Sequence, residues 1–590
     1  MDGEEEYQNN LDKFNKEKSK ATDEINKGED DIKENKESLL KLVDPEYDVE
    51  TIFDNEGIDT YYKNSLNMDE LTKVFPTFFY LVAMLVTLTT MKRYIDEQRT
   101  INGTLKSLGY SDKQISQRFY IYGIIPTLIG SIIGDLFGRF LVSRIIINAY
   151  SSGFGNLGIN YVGALPYILF SIALSVGLVA LTVYFSSKET VRETPAALLR
   201  PKAPQIGKKI LLERIKPIWK NLSFMQKITA RNLFRYKSRM FMTLFGVGGC
   251  TALTFFGFAM IDSIKDTVDW QQNRISHYDV ITMMDESATD GDLTSFNNKI
   301  KNYESLPISF QETNVNNNGN RLNLNLVIPK EHDKLDKFVS LKNLDRNSID
   351  LSNEKAVITE KASDKLGIKK GDKIKFSYKG KDFDLPITNI AENYTGHYIY
   401  ISKENFEKLS DQKADLNANY LHGDASKIIK NIENEKAVSA IINASVIYAS
   451  MDVLLQNLNL VIGIITIISG LLALVVLYNL ININVSERKR ELATIKVLGF
   501  YPKEVTSYIF REIFILTILG IFVGFGLGYA MFRYILYVVA PSDILLSYRV
   551  HFNPFIYSGL ITIAISIILL LVVHRKLKKI DMAEAMSSGE

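Results

Sequence analysis

ERKRELATIKVLGFYPKEV, residues Glu487 to Val505, has a counterpart far upstream in EQRTINGTLKSLGYSDKQI, residues Glu97 to Ile115. Without a gap, Glu97 falls on Glu487, Thr104 on Thr494, Lys106 on Lys496, Leu108 on Leu498 and Gly109 on Gly499. The same offset carries into the apolar run that follows. There Gly130, Gly134 and Gly138 (GSIIGDLFG) fall on Gly520, Gly524 and Gly528 (GIFVGFGLG). A register held through a charged loop and a glycine ladder means that one membrane module occurs twice.

Seven stretches are apolar enough to cross a bilayer, which takes roughly 20 residues of helix. They lie near Val74–Met91, Phe119–Leu141, Val162–Phe185, Phe241–Ile261, Leu458–Ile481, Ile513–Ile535 and Phe555–Val573. The order is three, one, three, with a polar block between the fourth and fifth. The mean hydropathy of +0.01 and net charge of +2 average these spans with water-soluble sequence. The fold class expected is a polytopic α-helical membrane protein of about seven helices in two parallel-repeat modules. An extracytoplasmic α+β domain and a helical N-terminal segment complete it.

Lys and Arg accumulate in cytoplasmic loops. The Lys188–Arg239 connection is strongly basic, as are Lys92–Arg118, Asn484–Arg511 and the tail from His574 to Lys579. Asn148–Tyr161 and Val538–Asn553 hold almost no basic residues. One topology satisfies every loop: N-terminus outside, C-terminus cytoplasmic, polar block outside. The chain then divides into an acidic outside segment, 1–73; a first three-helix module, 74–187; and a basic cytoplasmic linker with an amphipathic helix, 188–240. A lead-in span follows at 241–261, then an outside domain at 262–456, a second three-helix module at 457–574 and a cytoplasmic tail at 575–590.

The second module has a lead-in helix and the first has none. Residues 1–73 also carry no export signal. The chain therefore reads as the rear part of a longer, eight-helix arrangement, with a second polypeptide or an upstream segment supplying the missing lead-in helix. Within 1–41, opposite charges at i,i+4 such as Asp12/Lys16 and Lys33/Glu37 support helix. Its sparse apolar positions leave open whether this is one arm of a helical hairpin or a solvated tail.

In the outside block, Ala356 to Ser402 reads as strand Ala356–Thr359, a short helix to Leu366, a turn at Gly367–Asp372 and strand Lys373–Tyr378. Strands Asp382–Ile390 and His397–Ile401 follow. The one cysteine, Cys250, lies in an apolar run and reads as a packing residue. No Walker loop, G-x-S-x-G or H-E-x-x-H occurs, and no zinc spacing of Cys and His. The expectation is a non-enzymatic subunit without metal, cofactor or nucleic-acid partner. Asp135 and Arg139, four apart in one span, read as a structural pair in which Arg139 snorkels and neutralises Asp135, against a functional role for intramembrane charge.

These residues carry a resemblance. The chain resembles the permease subunit of an ABC transporter in the FtsX/MacB family, over about 74–200 and 222–586. The family's cytoplasmic loop, E-R-x-x-E-[IL]-[AG]-x-[LM]-[KR]-x-[LI]-G, is matched by Glu487, Arg488, Glu491, Leu492, Ala493, Lys496, Leu498 and Gly499. The first copy keeps Glu97, Arg99, Lys106, Leu108 and Gly109, but Asn102 and Gly103 replace the second acidic and apolar positions. Arg231–Arg239 resembles the family's opening basic helix, and Thr194–Leu198 and Met582–Met586 its closing segments. Val74 to Met91 resembles the large two-module permeases of Gram-positive bacteria.

The resemblance implies that both loop helices dock on a cytosolic ABC ATPase dimer, with ATP-driven closure moving the outside domains. Physics is compatible: each helix is amphipathic and ends at a glycine suited to a left-handed stop. A helix lying on the lipid headgroups is the other reading. The glycine ladders are expected to let helices approach closely, and if they pair, to form a pseudo-two-fold core. Family relatives export or extract peptides, lipoproteins and amphiphiles, or control cell-wall hydrolases. A membrane sensor or scaffold for envelope stress or antimicrobial peptides is the alternative.

Overall fold

Long apolar runs can satisfy their backbone groups in lipid only by coiling into helices, and the chain does so seven times among its described residues. The computed structural model describes residues 2–43, 52, 56–151, 164–200, 210, 213, 216–221, 224–235, 237–317, 319–378, 381–487, 497, 499, 501–539 and 544–578. Residues up to Tyr62 form one compact unit and those from Lys63 another. The first contains α1 (Asp2–Val43), a polar helix that leaves Phe14, Ile25 and Ile32 exposed.

The first module is built from α2 (Glu56–Glu97), the short α3 (Arg99–Ser107), α4 (Asp112–Phe137) and α5 (Ala164–Val191), closed by α6 (Pro195–Leu199). α4 passes through a π-helical turn at Gly138–Val142 and continues as Ser143–Ser151. The lead-in helix is α7 (Lys237–Trp270), and the second module contains α8 (Ala444–Glu487), α9 (Pro502–Val539) and α10 (Asn553–Lys578). The spans are Thr72–Glu97, Asp112–Asn148, Leu165–Lys188, Met240–Ile275, Asn459–Ile483, Phe510–Val538 and Asn553–Val572.

α7 runs nine residues past Ile261, and α8 begins at Ala444, well before Leu458. Hydropathy marks where lipid ends, not where a helix ends, so the lead-in span and the first helix of the second module both rise out of the apolar zone as stalks. Between them lies an α+β domain. Its eight-stranded sheet has the order β10-β1-β9-β2-β3-β8-β4-β7. The strands are β1 (Val280–Met284), β2 (Glu304–Asn317), β3 (Asn320–Pro329), β4 (Val357–Thr359), β7 (Asn389–Ala391), β8 (Tyr398–Tyr400), β9 (Ala418–His422) and β10 (Val438–Asn443). A separate hairpin joins β5 (Lys373–Tyr378) to β6 (Lys381–Pro386).

Successive side chains on a strand face opposite sides, and two cores follow. Leu326, Ile358 and Ile399 enter one with Phe376 and Phe406. Val327, Val357 and Tyr400 enter the other with Phe338 and Tyr420. The single strand expected over Asp382–Ile390 is two, because the chain leaves the hairpin at Pro386 and re-enters the large sheet at Asn389. At the base of the domain β1 pairs with β10, Val280 opposite Asn443, and the Ala444 N–H donates to the Asp279 carbonyl at 3.0 Å. This pairing ties the tops of the α7 and α8 stalks together.

α2 joins the first module to α7 and α8, Ser143–Ser151 also lies against α8, and the glycine ladders do not meet. Phe75 of α2 packs edge-on against Phe256 of α7 at 5.0 Å between ring centroids. Asn479 of α8 donates to Thr90 of α2 at 2.7 Å. Cys250 is fully buried with Val82, Ala473, Val476 and Leu480.

Candidate functional site

Three places carry the functional reading: the repeated loop, the glycine ladders and the junction between membrane helices and sheet domain. In the first loop, α3 ends in a Schellman turn: the Gly109 N–H donates to the Lys106 carbonyl at 3.0 Å and the Tyr110 N–H to the Leu105 carbonyl at 3.1 Å. Gly109 sits at φ +92°, and its counterpart Gly499 at +93°. The next helices also start alike. The Ser111 N–H donates to Gln114 Oε1 at 2.9 Å, and the Tyr501 N–H to Glu504 Oε2 at 2.9 Å. Arg488, Glu491, Leu492, Lys496 and Leu498 lie outside the described residues, as does the closing segment Met582–Met586; Glu487 is the last residue of α8.

Arg99 and Lys106 turn inward. Arg99 pairs with Glu193 and donates to the Ala197 carbonyl at 2.8 Å. Lys106 donates to the Glu193 carbonyl at 2.9 Å and pairs with Asp112 at 2.8 Å. Both basic side chains therefore strap α6 onto α3. Gly103 is what admits α6: a Cβ there would stand 3.0 Å from Leu198 Cβ and Leu199 Cγ. The departure from the family pattern at Gly103 thus has a packing cause. Of the apolar face expected from Ile101, Leu105 and Leu108, Leu105 packs against Met91, Ile95, Ile115 and Phe119, while Ile101 and Leu108 are exposed, as is the neighbouring Tyr110. Glu97 pairs with Arg93 at 2.8 Å.

The two ladders differ in surroundings. Gly520, Gly524 and Gly528 press on α7. A Cβ on Gly520 would stand 2.7 Å from Val247 Cβ, one on Gly524 2.7 Å from the Gly248 carbonyl oxygen, and one on Gly528 2.7 Å from the Ala252 carbonyl oxygen. The backbones come this close because the α9 ladder carries no side chains to hold α7 off. Around Gly130, Gly134 and Gly138 a Cβ would meet nothing within 4 Å. The ladders do not pair with each other because α7 occupies the second one.

Asp135 and Arg139 form no ion pair among the described residues. The π turn beginning at Gly138 widens the helix and takes Arg139 off the row of Asp135. Asp135 accepts instead from Ser171 Oγ of α5 at 2.8 and 3.0 Å.

At the other end of α7, Asp262, Asp266 and Trp270 meet the sheet domain and the loop preceding α10. Arg346 lies over Trp270, its guanidinium carbon 3.2 Å from the ring centroid, and reaches Asp266 at 3.5 Å and Glu392 at 3.4 Å. Arg346 holds φ +65°. Ser547 donates from Oγ to Asp266 at 2.6 Å and from its backbone to Thr267 at 2.9 Å. The His551 backbone N–H donates to Asp262 at 3.0 Å. Arg549 donates to the Leu344 carbonyl at 2.8 Å. Burial, with Asp364 and Glu392 adding like charge, raises the nearby Glu360 carboxyl to about 7. No motif signals this cluster, since its members come from segments separated by scores of residues. The only sequence hint was a row of Asp262, Asp266 and Trp270 on one helical face just beyond an apolar span.

Both three-helix modules match one family model, the FtsX-like permease C-terminal domain, over residues 73–195 and 463–582. The chain carries the FtsX-like permease module twice. The FtsX-like modules thus coincide with α2–α6 and with α8–α10, leaving α7 and the sheet domain as the insertion between them. FtsX-like permeases are membrane subunits of ABC transporters and are not themselves catalytic. Among solved structures, the extracellular domain of the noncanonical ABC-type transporter YknZ from Gram-positive bacteria matches at 13% identity. It covers 27% of this chain and 90% of its own, with a TM-score of 0.19, too low to bear on the argument. No curated protein matches the chain.

Proposed function

We propose that the chain is the membrane subunit of an ATP-driven complex in which a cytosolic ATPase dimer moves the sheet domain through α7 and α8. The observation that carries this reading is mechanical continuity. α7 is held backbone to backbone on the ladder of α9, then runs unbroken to the Asp266–Arg346–Glu392 junction at the domain. The ATPase would dock beneath the repeated loops. In the first of these, Ile101, Leu108 and Tyr110 offer the apolar contact, and Arg99 and Lys106 hold α6 in place behind it. In the second, Glu487, Arg488, Glu491, Leu492, Lys496, Leu498 and Gly499 are the proposed counterparts. The sheet domain faces outside and the C-terminus the cytoplasm, and the moved cargo is a peptide, lipoprotein or other amphiphile.

The open ladder of α4 is the counterpart of the face α7 fills. A transmembrane helix of a second polypeptide, with small residues spaced like Gly248, Thr251 and Ala252, completes the first module there.

The test is hydrogen exchange on the complex purified from native membranes. ATP should change protection in Asp262–Trp270 and Ile544–His551. Unchanged protection during steady hydrolysis would reject mechanical coupling and favour the sensor reading.

A further inference from the structure

We infer that a crevice between α9 and α10, at the end of the helices away from the sheet domain, binds an anionic phospholipid. The cavity is about 460 Å³. Phe510 and Phe514 form one wall and Ile567 and Leu571 the other, each pair four residues apart so that both side chains share a helix face. Arg511 and His574 stand at its mouth.

Depth decides the chemistry. Arg511 is the second residue of the span Phe510–Val538, and His574 lies two beyond the span Asn553–Val572. Both sit where hydrocarbon gives way to headgroups. Among the described residues Arg511 is exposed and has no ion-pair or hydrogen-bond partner within the protein. An arginine at the edge of hydrocarbon needs a counter-anion, and its planar fork matches a phosphate diester. The apolar walls run from that fork along the membrane normal, which suits an acyl chain hanging from a bound headgroup. A soluble anion would satisfy Arg511 but leave the walls unused.

The internal repeat isolates the feature. The residue of the first module aligned with Arg511 is Ile121, itself exposed on α4. The basic mouth belongs to the second module alone, so it is no general consequence of the FtsX-like fold. The inference does not depend on which ATPase, if any, binds the chain.

Native mass spectrometry of the full chain in mild detergent, offered equimolar phosphatidylglycerol and phosphatidylcholine, tests it. The unaltered chain should retain phosphatidylglycerol preferentially. Arg511→Gln should lower that preference about fivefold, the effect of one basic residue at a lipid surface, while Arg511→Lys restores part of it. Arg321→Gln, a charge removal at the exposed start of β3 in the sheet domain, should leave it unchanged. Leu571→Trp, which fills the crevice and keeps the charge, should also weaken retention. Equal preference in the unaltered chain and Arg511→Gln would overturn the inference. So would full competition by inorganic phosphate, which would mean an anion site without a place for the acyl chain.

Discussion

The guanidinium of Arg346 rests 3.2 Å from the centre of the Trp270 ring, joining the sheet domain to the top of the lead-in helix α7. The same side chain faces Asp266 and Glu392, which are 7% and 3% exposed. Removing one partner from buried charges leaves the others uncompensated. Arg346→Met should therefore destabilise the junction by about 3 kcal/mol, lower the thermal midpoint of the purified chain and shift the Trp270 emission. An unchanged midpoint would mean that neither the charge cluster nor the guanidinium over Trp270 stabilises the junction.

Acidification should tighten the sheet domain. Burial raises the Glu360 carboxyl to about 7, and Asp364 is pushed the same way, also by burial. An acid that titrates higher when folded binds more protons in the folded state, so its stabilisation is complete below the unfolded value and is lost as pH rises through about 7. Stability measured by proteolysis of the domain should fall between pH 5 and 8. Glu360→Gln should flatten that slope. A slope that persists in Glu360→Gln would assign it to other groups.

The ladders predict opposite responses to one substitution. Gly524→Ala places a methyl against the Gly248 carbonyl and Thr251, where backbone cannot yield, and should cost about 1–3 kcal/mol. Gly134→Ala enters open space and should leave the purified chain unaffected. If a partner helix covers that face in the membrane, Gly134→Leu should abolish its co-purification while leaving thermal stability unaltered. A partner retained by Gly134→Leu would remove the ladder from its interface.

Most of the membrane architecture was legible because its signals are local. Apolar runs mark spans, and a repeated glycine marks a repeated stop, as the matching positive φ of Gly109 and Gly499 shows. What was not legible depended on contacts between distant segments. Arg99 and Lys106 have the charge of docking residues, yet their partners on Glu193–Ala197 turn them into internal straps. Asp135 and Arg139 have i,i+4 spacing, but a π turn that no hydropathy pattern announces separates them. Beyond the row of Asp262, Asp266 and Trp270, nothing in the sequence signals the Arg346 junction, because only the folding of the sheet domain brings Arg346 and Glu392 to the same stalk.

The inward turn of the basic residues changes which mutations should uncouple an ATPase. Ile101→Ser with Leu108→Ser removes exposed apolar surface and should abolish ATPase stimulation without loss of insertion. Lys106→Ala breaks contacts to Glu193 and Asp112 instead, and should show mainly as lowered stability. Full stimulation by the Ile101/Leu108 variant would return this loop to a lipid-surface role.

Topology is the remaining prediction, and it rests on charge together with one structural constraint. The sheet domain and the loop before α10 must share a side, because Leu545 donates to the Tyr394 carbonyl at 2.9 Å and Thr395 bridges to Ile544. That loop is almost free of Lys and Arg, whereas the linker before α7 is rich in them. On a Cys250→Ser background, Asn320→Cys in the sheet domain should label with an impermeant maleimide on intact cells. Lys220→Cys in the linker should label only after permeabilisation. Cys250 is fully buried, so its replacement should not disturb either result. Labelling of Lys220→Cys alone would invert the chain in the membrane. It would put the sheet domain on the ATPase side and leave the repeated loops with no cytosolic partner.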